Sequence, residues 1–353
     1  MTEPLTLGES LRRQGVSRRG FLGFCAATAS LMALPPAMVP RIAEALERAK
    51  RPSVIWMSFQ ECTGCLESLT RSHTPSVEGL IFDYISLDYQ ETLQAAAGTA
   101  AEQAREEAMK ANWGNYLLIV DGSIPTAEDG LYSTIGGVTN LQSLQDAAEG
   151  AAAIIAVGSC AAFGGLPMAD PNPTGAVAVS DLIHDRPVVN VSGCPPIPTV
   201  IAGVLAQFLT FGTLPELDPL GRPKTFFANT IHDRCYRRPF YERGQFAESF
   251  DDEGAKNGWC LYKLGCKGPV TYNACATVKW NAGTSFPIQA GHGCIGCSEP
   301  NFWDAGGFYR ALPQGTMTSV GAIGAAAAAG AVIGAGAAIL ARGKQKQTAE
   351  TEQ

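Results

Sequence analysis

Four cysteines stand just past three short apolar runs. Val54–Phe59 leads to Cys62 and Cys65, Ala153–Val157 ends in Gly158-Ser159-Cys160, and Pro187–Val191 ends in Ser192-Gly193-Cys194. Short aliphatic runs bounded by turn residues read as buried strands. In an open parallel α/β sheet, ligands bind outside the carboxyl ends of the strands, at a topological switch point. Four thiols delivered to that edge make a metal site, and an iron–sulfur centre is the chemistry that uses them. Structural zinc also takes four cysteines, usually inside one local module. Here the four are spread over about 130 positions and only a sheet can gather them.

A second series of ligand-type residues follows: His232, Cys235, Cys260, Cys266, Cys275, Cys294 and Cys297. Seven such residues divide into four and three. A lone histidine is most often a core or surface residue, so His232 stands open between that role and ligation. Its place three positions before Cys235 favours a ligand. Ligation energy counts as folding energy, so a segment of this kind can be rigid with little regular structure.

The elements that position the first four cysteines alternate. After Val54–Phe59, Cys65 to Arg71 begins a helix. Leu80–Leu87 is a strand candidate, Thr92 to Ala111 has a strong helix composition, and Tyr116–Val120 is a strand closed by a turn at Asp121–Pro125. Leu141 to Gly150 is helical, and a helix runs from about Pro198 to Phe211. This order implies right-handed βαβ units and a parallel, flavodoxin-like sheet. No phosphate-binding glycine loop accompanies it; the first loop carries Cys62 and Cys65, with Gly64 permitting close backbone approach. From about Thr225 the periodicity fades while aromatics and glycines rise.

The chain has 353 residues, 46% hydrophobic and 17% charged, enough to bury a core. A formal charge of −7 argues against nucleic acid as a partner. Eleven cysteines in a chain this long do not read as a disulfide framework, which belongs to short secreted domains. Ser17-Arg18-Arg19-Gly20-Phe21-Leu22 is a twin-arginine signature, followed by an apolar run to about Val39. Ala43-Glu44-Ala45 marks cleavage before Leu46, which would remove Cys25 with the signal and leave ten cysteines. At the other end, Ser319 to Ala341 is an uncharged run of 23 residues. As a helix it would be about 34 Å long, enough to span a bilayer. Gly330 and Gly334 give it a small-residue face, and Arg342, Lys344 and Lys346 place the carboxyl terminus in the cytoplasm. The expected division is a signal peptide over 1–45, a flavodoxin-like domain over 46–224, an irregular iron–sulfur domain over 225–317, a transmembrane helix over 318–341, and a tail over 342–353.

Five motifs together resemble the small, electron-transferring subunit of membrane-bound nickel–iron uptake hydrogenases. They are Glu61–Cys65, Gly158–Cys160, Gly193-Cys-Pro-Pro196, Ile231-His-Asp-Arg-Cys235, and the segment from Gly293 to Asp304. The resemblance covers nearly the whole chain. It implies a proximal [4Fe–4S] cluster on Cys62, Cys65, Cys160 and Cys194, and a medial [3Fe–4S] cluster on Cys275, Cys294 and Cys297, with Pro287 near the vacant corner. His232, Cys235, Cys260 and Cys266 would hold a distal [4Fe–4S] cluster. This uses all ten cysteines of the mature chain. The resemblance further implies a large subunit that bears the nickel–iron site where hydrogen is split, and a membrane cytochrome b or other quinone-reducing subunit as acceptor. The site would lie on the periplasmic side of the inner membrane. Oxygen-tolerant members resemble this pattern but carry two extra cysteines, where this chain has Gly64 and Gly165; an ordinary, oxygen-sensitive proximal cluster is expected. Glu61 is a candidate proton relay, set against the plainer role that it shares with Glu67 as a solvated or capping carboxylate. The alternative of another class is a stand-alone exported iron–sulfur carrier, and a third is a zinc- or disulfide-stabilised binding module.

Overall fold

A computed structural model describes residues 6–312, apart from residues 14, 33, 49, 50 and 74. The expected anchor and tail lie outside the described residues. Among the described residues no helix is long and apolar enough to cross a membrane.

Five strands form the central sheet: β1 (Ser53–Ser58), β2 (Ser86–Tyr89), β3 (Tyr116–Asp121), β4 (Ala151–Val157) and β5 (Val188–Val191). They pair in the order β2-β1-β3-β4-β5, all parallel. This is the flavodoxin-like order, with its switch point between β1 and β3. Aliphatic side chains alternate to both faces, as a doubly covered parallel sheet requires. Val54, Trp56, Leu117, Ile119 and Ile155 join one buried cluster. Ile55, Met57, Leu118, Val120 and Ile154 join the other. The helix Pro198–Phe211 covers the first face with Val200, Ile201, Val204 and Leu205. Proline at its first turn and Gly212 in the left-handed region at its end punctuate it. Helices Thr99–Ala111 and Asn140–Glu149 cover the second face through Ala101, Met109, Leu144 and Ala147.

Three expectations change. Leu80–Leu87 is not one strand: Leu80–Tyr84 is a π-helical turn and the strand is Ser86–Tyr89. A short apolar run buried from several sides carries no period that separates the two, and Tyr84 is drawn into a stack on Phe24, ring centroids 3.8 Å apart. The helix expected from Thr92 starts only at Thr99, after Gly98 at φ +59°. The turn at Asp121–Pro125 includes a two-residue strand, Ile124–Pro125, antiparallel to Ala176–Val177.

The amino-terminal residues, set aside in the sequence as a targeting segment, are helical here over Leu7–Arg13, Arg18–Leu31 and Val39–Arg48. Ser17 caps the second helix by accepting a hydrogen bond from the Gly20 amide at 3.1 Å, while Arg18 and Arg19 face solvent. Leu7, Leu11, Cys25, Ile42 and Leu46 are buried in the same cluster as the Pro198–Phe211 helix.

Beyond Phe227 the described chain contains no strand of the central sheet. It is built from short helices at Arg238–Glu242 and Glu253–Lys256, single 3₁₀ turns and long-range backbone bonds. Ile231 N donates to Thr271 O at 2.8 Å, Ala247 N to Cys260 O at 3.0 Å, and Lys267 N to Cys294 O at 2.7 Å. Two of these three cross-links end on candidate ligand cysteines.

Candidate metal centres

The first site is set by strand register. Ser58 pairs with Asp121, Asp121 with Val157, and Val157 with Val191. The strand ends are therefore level, and the loops bearing Cys62, Cys65, Cys160 and Cys194 leave the sheet from one edge. Cys65 lies within electrostatic reach of Cys160, Cys194 and Cys62. Burial pushes the Cys160 thiol up to about 11 and the Cys194 thiol up to about 12. Gly158 makes this packing possible: at φ +89°, a Cβ there would stand 2.4 Å from Cys65 Sγ. A Cβ on Gly165, at φ +56°, would stand 2.8 Å from Cys160 Cα, N and Sγ. Cys62 remains exposed.

The second and third sets line two cavities. Cys275, Cys294, Cys297 and Pro287 line one of about 330 Å³, and Cys194 of the first site reaches its wall. His232, Cys235, Cys260 and Cys266 all line the other. Adjacent sets lie close together. Cys194 lies within electrostatic reach of Cys297, and the Cys294 amide donates to Cys266 Sγ at 3.3 Å. Within the sets, amides two residues on donate to Cys235, Cys266 and Cys294 sulfurs at 3.4 Å. His232 is buried edge-on to Tyr241, centroids 4.8 Å apart. Burial, then the nearby Arg238, lowers its pKa, which favours the neutral imidazole that ligation needs.

None of the eleven cysteines is in a disulfide. Among the described residues no three histidine, cysteine or carboxylate side chains gather tightly enough for a single metal ion. A tetrahedral zinc site would draw its sulfurs to about 3.8 Å from one another. Cys275, Cys294 and Cys297 instead line a cavity of about 330 Å³, room for a body larger than one ion; the cavity lined by His232, Cys235, Cys260 and Cys266 is tighter, about 10 Å³. Soft sulfur donors in fours and threes, with amides aimed at the sulfurs, suit iron–sulfur clusters.

Several residues that sequence reasoning passed over complete these sites. Asp121, fully buried at the end of β3, accepts from Trp56 Nε1 at 3.1 Å, and burial pushes it up to about 7. Ser159 Oγ accepts from Gly193 N at 3.0 Å and donates to Cys297 O, joining the first site to the second. Arg222, 3% exposed, pairs with Asp218 at 2.8 Å and Glu299 at 2.9 Å. Lys267, 4% exposed, follows Cys266 directly. Ser159 and Lys267 were visible as neighbours of candidate ligand cysteines; nothing in the sequence marked Arg222. Glu61, the candidate relay, is half-buried, accepts from Thr63 Oγ1 at 3.2 Å, and has its carboxyl raised by burial. Glu67 is an exposed partner of Arg71, as its plainer role predicts.

Comparison with known proteins agrees with this geometry. Residues 227–310 match the C-terminal family of the NiFe/NiFeSe hydrogenase small subunit. Residues 62–208 match the NADH ubiquinone oxidoreductase, 20 Kd subunit family. The chain is 53% identical to the uptake hydrogenase small subunit of Azotobacter vinelandii over 340 residues, covering 95% of this chain and 94% of that protein. It is 49% identical to the hydrogenase-1 small chain of Citrobacter freundii, covering 90% and 86%. Among solved structures, a [NiFeSe]-hydrogenase from Dm. baculatum superposes with a TM-score of 0.70 at 38% identity, covering 75% of this chain and 100% of that one. With the parallel sheet, the cysteine-bearing edge and this identity over nearly its full length, the chain belongs to the small subunits of the nickel–iron hydrogenases.

Proposed function

We propose that this protein carries electrons from hydrogen oxidation in a partner large subunit to an acceptor in the membrane, over three iron–sulfur clusters held in a row. The observation that carries this reading is the sorting of ten cysteines and His232 into three neighbouring sets that lie close together. Cys62, Cys65, Cys160 and Cys194 would hold a proximal [4Fe–4S] cluster; Cys275, Cys294 and Cys297 a medial [3Fe–4S] cluster beside Pro287; His232, Cys235, Cys260 and Cys266 a distal [4Fe–4S] cluster. When bound, such clusters supply one-electron acceptors whose potentials follow ligand charge, hydrogen bonds to sulfur and solvent exposure.

The chain's own groups do the rest. Amides on Cys235, Cys266 and Cys294 sulfurs stabilise negative charge there. The neutral ring of His232 replaces one anionic thiolate. The exposed side of the first site, at Cys62, is the face offered to the large subunit. Glu61 beside it is a relay for the protons released there; an unchanged hydrogen-oxidation rate in Glu61→Gln would dispose of that role. Glycine at positions 64 and 165 supports an ordinary, oxygen-sensitive proximal cluster.

The twin-arginine signature supports export in the folded state, with the site on the periplasmic face of the inner membrane. The uncharged segment Ser319–Ala341 is the membrane anchor, with a cytochrome b or similar quinone-reducing subunit beside it. Low-temperature electron paramagnetic resonance of the purified membrane complex, with iron and sulfide measured on the same sample, tests the cluster reading. A sharp oxidised-state [3Fe–4S] signal with about eleven irons in this chain, by the cluster types of the ligand sets, is expected. Zinc or no metal would overturn the ligand assignment. Purification without a large subunit would favour the stand-alone carrier, and deletion of residues 319–341 releases an anchored protein to the soluble fraction.

A further inference from the structure

Lys267 is 4% exposed and has no carboxylate partner among the described residues. Its backbone and side chain are both committed to the junction of two candidate ligand sets. The Lys267 amide donates to Cys294 O at 2.7 Å, and the Cys294 amide donates back to Cys266 Sγ at 3.3 Å. The side-chain Nζ donates to Gly265 O at 3.0 Å and to Arg310 O. Burial lowers its pKa and the Arg310 charge adds to this, while Cys266 in one set and Cys294 in the other act against them, so both sulfurs lie within its electrostatic reach. Gly296 and Gly306 lie alongside the side chain: a Cβ on the first would stand 3.5 Å from Lys267 Cβ and one on the second 3.5 Å from its Cε.

A buried ammonium is kept charged when carbonyl oxygens take its protons and anions stand nearby. With clusters bound as proposed, the nearby anions would be sulfurs of two different sites. Each one-electron reduction at either site adds one negative charge, and a fixed positive charge within reach of both favours the reduced form of each. Screening by salt is weak at such a depth.

We propose that Lys267 is a positioning residue of the relay: a buried cation within reach of both Cys266 and Cys294 that raises the reduction potentials of the medial and distal sites together and leaves the proximal site alone. The inference rests on the cluster assignment above. Its chemistry differs from that of the ligands, because Lys267 binds no iron and acts through a shared field. The same ammonium also ties the Gly265–Lys267 turn to the backbone at Arg310.

The test is a potentiometric titration of the purified complex, followed by electron paramagnetic resonance, for wild type, Lys267→Met, Lys267→Gln and Lys267→Arg. Both neutral variants are expected to lower the medial and distal midpoint potentials, with the proximal signal unmoved and the arginine variant close to wild type. Glutamine keeps a hydrogen-bond donor while removing charge, so it separates the field from the tie to Arg310. Unmoved potentials in either neutral variant with clusters present, or an equal shift of all three sites, would overturn the proposal. Loss of medial and distal clusters in both neutral variants would make Lys267 an assembly residue and would also overturn it. A wild-type sample without the expected iron and signals would instead sink the cluster assignment itself.

Discussion

Arg222 offers the sharpest test of how the two halves of the described unit are held together. Its guanidinium donates from Nε to Asp218 Oδ2 at 2.8 Å and from Nη1 to Glu299 Oε1 at 2.9 Å. It also reaches Ser298 O at 3.3 Å and lies over the Phe227 and Tyr272 rings, 5.3 and 5.6 Å from their centroids. Glu299, two residues past Cys297, also accepts from the Tyr272 amide at 2.6 Å. In Arg222→Met the volume is largely kept but two carboxylates lose their cation. Breaking a buried pair by removing one partner costs about 3–5 kcal/mol. The carboxylate side chains retain 13% and 18% exposure against 4% for the arginine, which favours the lower end. A loss of about 3 kcal/mol corresponds to a fall in melting temperature of roughly 4 °C for a chain of this size. Calorimetry of the purified heterodimer measures it, with bleaching of the visible absorbance recorded in parallel to show whether the site at Cys297 opens first. The double variant Arg222→Met/Glu299→Gln should recover about half of the loss, because it removes one of the stranded charges. A loss below about 1 kcal/mol, or strict additivity in the double variant, would refute the reasoning.

Burial pushes Glu91 up to about 7, so its folded-state value lies above its unfolded one. Its stabilising share is complete below the unfolded value and disappears as pH rises through about 7. Glu91→Gln should therefore gain about 1–2 kcal/mol over wild type at pH 8, allowing for partial solvent contact, and nothing near pH 4; denaturant melts at the two pH values check this, and an equal effect at both would contradict it. Gly165→Ala should disturb the proximal signal in electron paramagnetic resonance, because its φ of +56° and a Cβ 2.8 Å from Cys160 Sγ leave no room. Gly64→Ala, whose Cβ meets only Cys62 Sγ at 3.1 Å, should be far milder; a reversed order would count against the packing argument. With iron ligated as proposed, a chelator should expose residues 228–310 to protease while the sheet persists, since ligation energy counts there as folding energy. Equal cleavage in both halves would show that the clusters do not hold that segment.

The sheet was legible from residues alone, because β1, β3, β4 and β5 are aliphatic runs that a parallel sheet buries on both faces. So were the candidate ligands: four soft donors past strand ends, and seven more in the irregular segment from His232 to Cys297, have few other uses. The family's motifs then divided them into three sets. Leu80–Leu87 was misread, since a run buried from several sides has no period to betray it. How the sets meet had no signal in the residue pattern at all. Only the folded chain brings Cys194 near Cys297 and Cys294 against Cys266. Arg222 and Lys267 acquire their roles the same way. An isolated basic residue in a sequence reads as a solvated surface group, and it becomes a buried clamp or a fixed charge only when segments as distant as residues 218 and 299, or 266 and 294, close around it. Pairings of that length are set by the packing of the whole unit, and no local pattern of residues encodes them.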